Sequence, residues 1–359
     1  MNIKIYKQYI LKSFLFYFLV VSLIFFILSF FLNILEEIIF LEKYNVSIFY
    51  PLLLTFLNTP SILFEIFPFI FLISTQLFYI KLFTNNEIQI FKYSGLKNSK
   101  ILFITSLVTF IVGLVIISIF YNASSNLKNF YLEIKSKYST DGKYLAVITK
   151  NGLWIKDKID NKTIITNSYS IDQNYLTDSF ITEFDEKFNI IRNIQSKKID
   201  ISKKNWKIID ANIYKENEYI NIDTLNLKTN FDINRIQTLY SNLSALNFVE
   251  LYQLRENYKK LNYSIIEVDM YLLKLFSYPL YLLLITLFAG IIMLNIKEFK
   301  STTFKILVGL FFSVIIYYLN NFSYVLGTTE RISIFFSVFL PMIILLTINA
   351  FMLNKINEK

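Results

Sequence analysis

Residues 14–35 read FLFYFLVVSLIFFILSFFLNIL, with no charged side chain between Phe14 and Leu35. A helix rising 1.5 Å per residue needs about 20 such positions to cross ~30 Å of hydrocarbon, so this stretch is long enough to span a bilayer. Five more stretches share the pattern: Ser61 to Phe83, Ile101 to Tyr121, Met270 to Ile296, Phe304 to Leu326 and Ile332 to Leu353. Three spans thus precede, and three follow, a polar insert of about 140 residues, and the chain reads as an integral membrane protein. A hydrophobic fraction of 54% and a mean hydropathy of +0.46 agree. The first stretch is too long for the apolar part of a signal peptide, and no small-residue cleavage pattern follows it. It is expected to stay as span 1.

The formal charge of +9 is explained by where the lysines sit. Lys4, Lys7 and Lys12 precede span 1; Lys81, Lys92, Lys97 and Lys100 lie between spans 2 and 3; Lys297, Lys300 and Lys305 lie between spans 4 and 5; Lys355 and Lys359 follow span 6. The opposite short loops hold only Lys43 and Arg331. The positive-inside rule then places both termini and the 81–100 and 297–305 loops in the cytoplasm, with the insert on the far side. No basic tract interleaved with aromatics occurs, so nucleic acid is not an expected partner.

The chain has no His and no Cys. Metal sites built on those residues, Ser-His and Cys-His nucleophilic pairs, and disulfides in the insert are excluded. The acidic neighbours Glu36/Glu37 and Asp185/Glu186 point in different directions on a helix or strand, and pairs in turns are ordinarily solvated. No phosphate-binding P-loop or Gly-rich dinucleotide fingerprint is present, so any ATP hydrolysis belongs to a partner. No catalytic residue, metal or cofactor is expected.

Within the insert, apolar and polar residues alternate in Tyr144–Ile148, Leu153–Ile155, Thr163–Ile165, Phe188–Ile194, Lys207–Ile213 and Tyr219–Leu227. Period two over short runs predicts half-buried strands. Turn-prone Thr140-Asp141-Gly142, Lys150-Asn151-Gly152, Lys158–Asn161 and Asp185-Glu186-Lys187 separate them. The pattern fits an antiparallel sandwich, jelly roll or open barrel. From Leu246 through Val249, Leu251, Leu254 and Tyr258 the spacing becomes helical and leads toward span 4. The expected class is an α+β membrane protein: helices 1–3 in residues 1–122, a β domain with helical connector in 123–262, and helices 4–6 in 263–359.

Two features invite a functional reading. Residues 84–95 read as a short helix, with Ile88 and Phe91 on one face and Gly95 ending it. Such a helix either presses into a soluble partner or rests on lipid. Glu65 and Lys274 are charged residues in or near spans; each either snorkels to the interface or, for Lys274, faces a cavity and an anionic ligand.

These strings and the layout resemble the LptF/LptG permease family over nearly the whole chain. Asn86-Glu87-Ile88-Gln89-Ile90-Phe91-Lys92-Tyr93-Ser94-Gly95 is similar to the family's coupling helix, and Ala245-Leu246-Asn247-Phe248-Val249-Glu250-Leu251, then Leu254, Glu267, Lys274 and Pro279, to its approach to span 4. Gly309 and Pro341 fit the same pattern, and Asn151-Gly152-Leu153-Trp154-Ile155-Lys156-Asp157 resembles the LptG form more than LptF. The resemblance implies a membrane subunit that extracts lipopolysaccharide from the inner membrane. Its implied partners are an LptF-like permease in a heterodimer, an LptB-like ATPase dimer, and LptC and LptA, joined edge to edge to a periplasmic β-jellyroll. It implies an ATPase contact through Glu87, Ile88, Phe91, Lys92 and Gly95. Lateral gates on spans 1 and 5 would use Phe25, Phe26, Phe30, Phe311, Ile315 and Tyr318, and Lys43 and Lys274 would border the lipid cavity. Glu36 and Glu37 stand where LptG-like chains often carry basic residues, and Asn85-Asn86 where one is common in the coupling helix. Another envelope lipid or lipoprotein export permease would ordinarily carry its large domain directly after span 1. A membrane-bound transferase would need a visible carboxylate or basic cluster, and a scaffold would need no ATPase.

Overall fold

A computed structural model describes residues 5–44, 46–138, 153–159, 161–172, 174–215, 218–233, 236, 242–260, 265–295 and 302–357. The strand expected at Tyr144–Ile148, the turns at 140–142 and 150–152, and Lys4, Lys297, Lys300 and Lys359 lie outside these. The chain divides into a helical unit of residues 1–42, 46–127 and 266–359 and a sheet-bearing unit of residues 43–45 and 128–265.

The helical unit holds six helices long and apolar enough to cross a membrane. Span 1 is Ile5–Leu41, span 2 Phe49–Thr84, span 4 Ile266–Asn295, span 5 Thr302–Thr328 and span 6 Ile334–Asn357. Span 3 runs as an α-helix over Asn98–Val115, loosens to a π-helix over Ile116–Tyr121, and continues helically through Asn122–Ser136. Spans 2 and 4 form the centre: 67% of the most apolar window of each is buried, against 17% for span 1 and 22% for span 5. Small side chains allow this close packing, because lipid gives apolar helices no hydrophobic reason to associate. A Cβ on Gly113 would lie 3.0 Å from the Pro279 Cα, so spans 3 and 4 touch backbone to backbone. The hydroxyls of Thr109 and Thr286 bond across the same pair at 3.1 Å, and the Asn349 amide on span 6 donates to the Leu284 carbonyl at 3.0 Å. Thr55, Thr59, Ser74 and Thr75 on span 2 donate to carbonyls four residues back, so burial leaves these hydroxyls satisfied.

The sheet unit contains strands β1 Leu153–Ile159, β2 Lys162–Asp172, β3 Tyr175–Phe184, β4 Ile190–Asp200, β5 Asn205–Lys215 and β6 Glu218–Lys228, followed by a helix at Phe248–Lys260. All pairs are antiparallel and lie in sequence order. The antiparallel expectation therefore holds. Among the described residues the six strands form an uncrossed meander.

A line of irregularities lets this one sheet enclose a core. The ladder skips Tyr169 opposite Asp178, Asp178 opposite Lys197, and Asp210 opposite Asp223. Asp178 and Asp210 take left-handed φ values of 44° and 50°. The register runs on unshifted across these points, so the breaks lie opposite one another and the inward alternation reverses in step from strand to strand. In β3 the inward side chains pass from Leu176 to Ser179 and Ile181, and in β5 from Trp206 and Ile208 to Ala211 and Ile213. The sheet curls so far that Asn230, just past β6, meets β1: its backbone N–H and side-chain amide both donate to the Asp157 carboxylate at 2.8 Å.

Trp206 is 1% exposed and donates its indole N–H to the Phe231 carbonyl at 2.9 Å. Trp206→Phe removes that bond and leaves the carbonyl to the Thr229 hydroxyl, which also donates to it at 2.8 Å, so the loss should be about 0.5–1.5 kcal/mol of sheet-unit stability. Denaturant unfolding of the full-length protein in detergent, followed by Trp154 fluorescence, reads the loss. In the β3–β4 turn, the Asp185 carboxylate accepts from the Asn189 amide at 3.0 Å and from the backbone N–H groups of Asn189 and Lys187 at 2.8 Å. These bonds, the Asn189 side chain first, hold its pKa below the usual carboxylate value. A depressed folded pKa means that the turn's stabilisation is present above the ordinary value of about 3.9 and is lost as pH falls through the lowered one. Hydrogen exchange at Asn189, corrected for intrinsic rate, should show that acid loosening in the natural chain and not in Asp185→Asn.

Candidate functional site

Both candidate regions lie in the helical unit. The first is a helix of seven residues, Glu87–Tyr93, between spans 2 and 3. Asn86 enters it with a left-handed φ of 58°, and Gly95 leaves it at φ 76°, where a side chain would be strained. The Gly95 N–H bonds the Lys92 carbonyl and the Leu96 N–H bonds the Phe91 carbonyl, each at 2.9 Å, a paired C-terminal closure of the Schellman type. Glu87 is held from within the chain. Its carboxylate lies 3.4 Å from the Lys81 ammonium and accepts from the Asn85 amide at 3.0 Å. Lys81 in turn donates to the Tyr9 hydroxyl at 2.6 Å and to Ser13 at 3.1 Å on span 1. Spans 1 and 2 therefore fix the orientation of this short helix.

Of the five residues expected to contact an ATPase, Ile88 is buried inside the chain, Phe91 is half-buried with its ring edge-on to Tyr9, and Lys92 and Gly95 are exposed. The outward apolar face is made instead by Ile90, 58% exposed, and Tyr93, 90% exposed. The phase of Ile88, Ile90 and Phe91 in sequence does not choose a face, because only the packing of Ile88 fixes the helix's rotation. An open cleft of about 1520 Å³ borders this helix, lined among others by Ile5, Tyr6, Ile90, Phe91, Lys97 and Phe103.

The second region is a cavity of about 290 Å³ between spans 2, 4, 5 and 6, bordered by Glu65, Lys274, Tyr271, Tyr281, Asn321 and Tyr324. Prolines shape its walls. Pro68 on span 2 has no N–H, so the Phe64 carbonyl loses its partner one turn back. The Tyr278 hydroxyl on span 4 donates to that carbonyl at 2.7 Å, and its ring stacks on Phe64 at 4.9 Å. Asn320 on span 5 donates to the Tyr281 hydroxyl at 2.6 Å. Tyr278, Asn320 and Asn321 carry no sequence signal of their own, since Tyr278 and Phe64 lie 214 positions apart.

The remaining expected positions fall elsewhere. Phe25, Phe26 and Phe30 are half-buried on span 1, with Phe26 and Phe30 stacked at 6.3 Å. On span 5, Phe311, Ile315 and Tyr318 are exposed at 65%, 39% and 67%, whereas Ser313, Ile316 and Tyr317 face the cavity. Lys274 lines the cavity, with its ammonium 5.8 Å from the Tyr324 ring. Lys43 is exposed and belongs to the sheet-bearing unit. Lys274 and the aromatic positions on spans 1 and 5 are thus not gathered into one site within a single chain. Among the described residues, no group of three or more acidic side chains is placed to hold a metal ion.

Six spans, an antiparallel sheet between spans 3 and 4 and a proline-shaped cavity define a multi-pass membrane protein of the permease class. Residues 8–355 match the family model of the lipopolysaccharide export system permease LptF/LptG. The chain belongs to this family. No curated protein matches it.

A double-mutant cycle tests the span 2 to span 4 contact. Tyr278→Phe should cost about 1–3 kcal/mol, because it leaves the Phe64 carbonyl unmet in a region without water. In a Pro68→Ala background the restored N–H supplies the missing donor, and the same substitution should cost under about 0.5 kcal/mol. Thermal unfolding of the four detergent-solubilised proteins measures the difference.

Proposed function

We propose that this chain is the LptG-type membrane subunit of an ATP-driven exporter that lifts lipopolysaccharide out of the bacterial inner membrane. The observation that carries the reading is the family match over residues 8–355, which takes in both halves of the membrane unit and the insert. The string Asn151–Asp157 favours LptG over LptF. The lysine distribution supports a cytoplasmic side for the termini and the Glu87–Tyr93 helix and a periplasmic side for the sheet unit.

In this reading the short helix transmits force from an LptB-like ATPase dimer. Ile90 and Tyr93 supply the apolar contact, Lys92 a charge at its rim, and Glu87 the tether to Lys81 that passes movement to spans 1 and 2. The poorly buried spans 1 and 5 meet an LptF-like partner, and Phe25, Phe26, Phe30, Phe311, Ile315 and Tyr318 present apolar surface to acyl chains or to that partner. Such surface is needed because each CH₂ withdrawn into water costs about 0.8 kcal/mol. Among the described strands β6 has a neighbour on one side only, and its largely exposed edge suits strand addition by an LptC- or LptA-like bridge.

The test is co-expression of the tagged chain with its neighbouring membrane and ATPase genes, followed by ATPase assay with and without lipopolysaccharide. A complex with one different six-span partner and two ATPase copies, stimulated by the lipid, is expected. A chain that purifies alone would favour a scaffold and overturn the proposal. In the complex, Tyr93→Ala with Ile90→Ala should lower ATPase retention at least tenfold. Glu87→Gln should keep the ATPase bound while reducing lipid-stimulated turnover. Full stimulation in Glu87→Gln would remove the tether from the account.

A further inference from the structure

We propose that the cavity between spans 2, 4, 5 and 6 is a binding site for a zwitterion carrying both a phosphate and a primary ammonium, the chemistry of an ethanolamine phospholipid headgroup. This goes beyond the cargo reading, since the site lies inside one subunit and does not depend on which lipid is exported.

The argument starts from two opposite charges that share one cavity without meeting. Glu65 and Lys274 both line it. Each lies within the other's electrostatic reach, yet among the described residues they form no ion pair, and Glu65 has no hydrogen-bonding partner. A carboxylate and an ammonium in an apolar surround are costly unless each finds a counter-charge. A ligand that is only anionic would satisfy Lys274 and be repelled by Glu65, and a purely cationic one would meet the reverse. A neutral ligand with separated charges satisfies both.

The walls distinguish the two ends. The Lys274 ammonium is a point charge suited to phosphate, and the amide of Asn321 adds donors to the same cavity. Tyr271 and Tyr281 border the space with aromatic rings, which favour an ammonium held by Glu65, whereas the Tyr324 ring lies beside Lys274. About 290 Å³ holds a headgroup and not a whole lipid. Depth agrees as well. Glu65 lies 16 residues from Lys81 along span 2, about 24 Å of a ~30 Å hydrocarbon layer, so the cavity sits near the interface on the insert side, where headgroups reside.

The full-length chain in detergent is incubated with phosphatidylethanolamine or phosphatidylglycerol of matched acyl chains, and retained lipid is counted by native mass spectrometry. Retention of phosphatidylethanolamine at least tenfold above phosphatidylglycerol is expected. Glu65→Gln should bring the two within about twofold, Lys274→Gln should lose both, and the exchanged pair E65K/K274E should recover the ethanolamine preference. Equal retention of both lipids by the natural chain, or an unchanged preference in Glu65→Gln, overturns the site. The natural-chain comparison decides even where a variant fails to fold. Soluble phosphoethanolamine that displaces the lipid would show that the free zwitterion suffices. Ethanolamine preference without such displacement assigns the site to the lipid headgroup.

Discussion

The membrane unit depends on one constraint: a backbone carbonyl inside a bilayer must find a donor, and proline removes the nearest one. Span 2 accepts Pro68 because Tyr278 reaches across from span 4 to the Phe64 carbonyl. That hydrogen bond joins the two most buried helices, and the surrounding contacts follow from it. Tyr278 stacks on Phe64, Phe64 packs against Tyr121, and Tyr121 lies in the π-helical segment of span 3. The proline that weakens one helix thus specifies how three of them meet.

The same centre leaves spans 1 and 5 with little to pack against. Their exposed faces are apolar, with Leu19, Leu23 and Ile27 on span 1 and Phe311, Tyr318 and Phe322 on span 5. The polar exceptions on span 1 turn inward: Asn33 is buried and accepts from the Asn58 amide of span 2 at 3.2 Å. At the lysine-rich end, Lys81 ties span 2 at once to span 1 and to the short helix.

The sheet unit solves a different problem with similar economy. A single meander has two edges and one face to bury. The aligned irregularities at Asp178, Lys197 and Asp210 bend it until Asn230 meets Asp157, and Trp206 fills the interior. The period-two pattern in the sequence identifies β1, β2, β4, β5 and β6 from their residues alone, because alternation reports directly on which side of a sheet each residue faces. β3 is not among the runs it picks out. Pairing order is a long-range property that local alternation does not encode.

By itself the sequence determined the six spans, the insert's place between spans 3 and 4 and its antiparallel character, and the helix ended by Gly95. Each follows from local physics: apolar length against bilayer thickness, residue periodicity, and the conformations allowed to glycine. Only the tertiary structure decided which face of that helix looks outward, that Glu87 is tied to Lys81, and that Glu65 and Lys274 share a cavity without pairing. Those outcomes depend on how each helix is rotated about its axis. That rotation is set by contacts between residues up to 214 positions apart, such as Phe64 and Tyr278, about which no local pattern carries information.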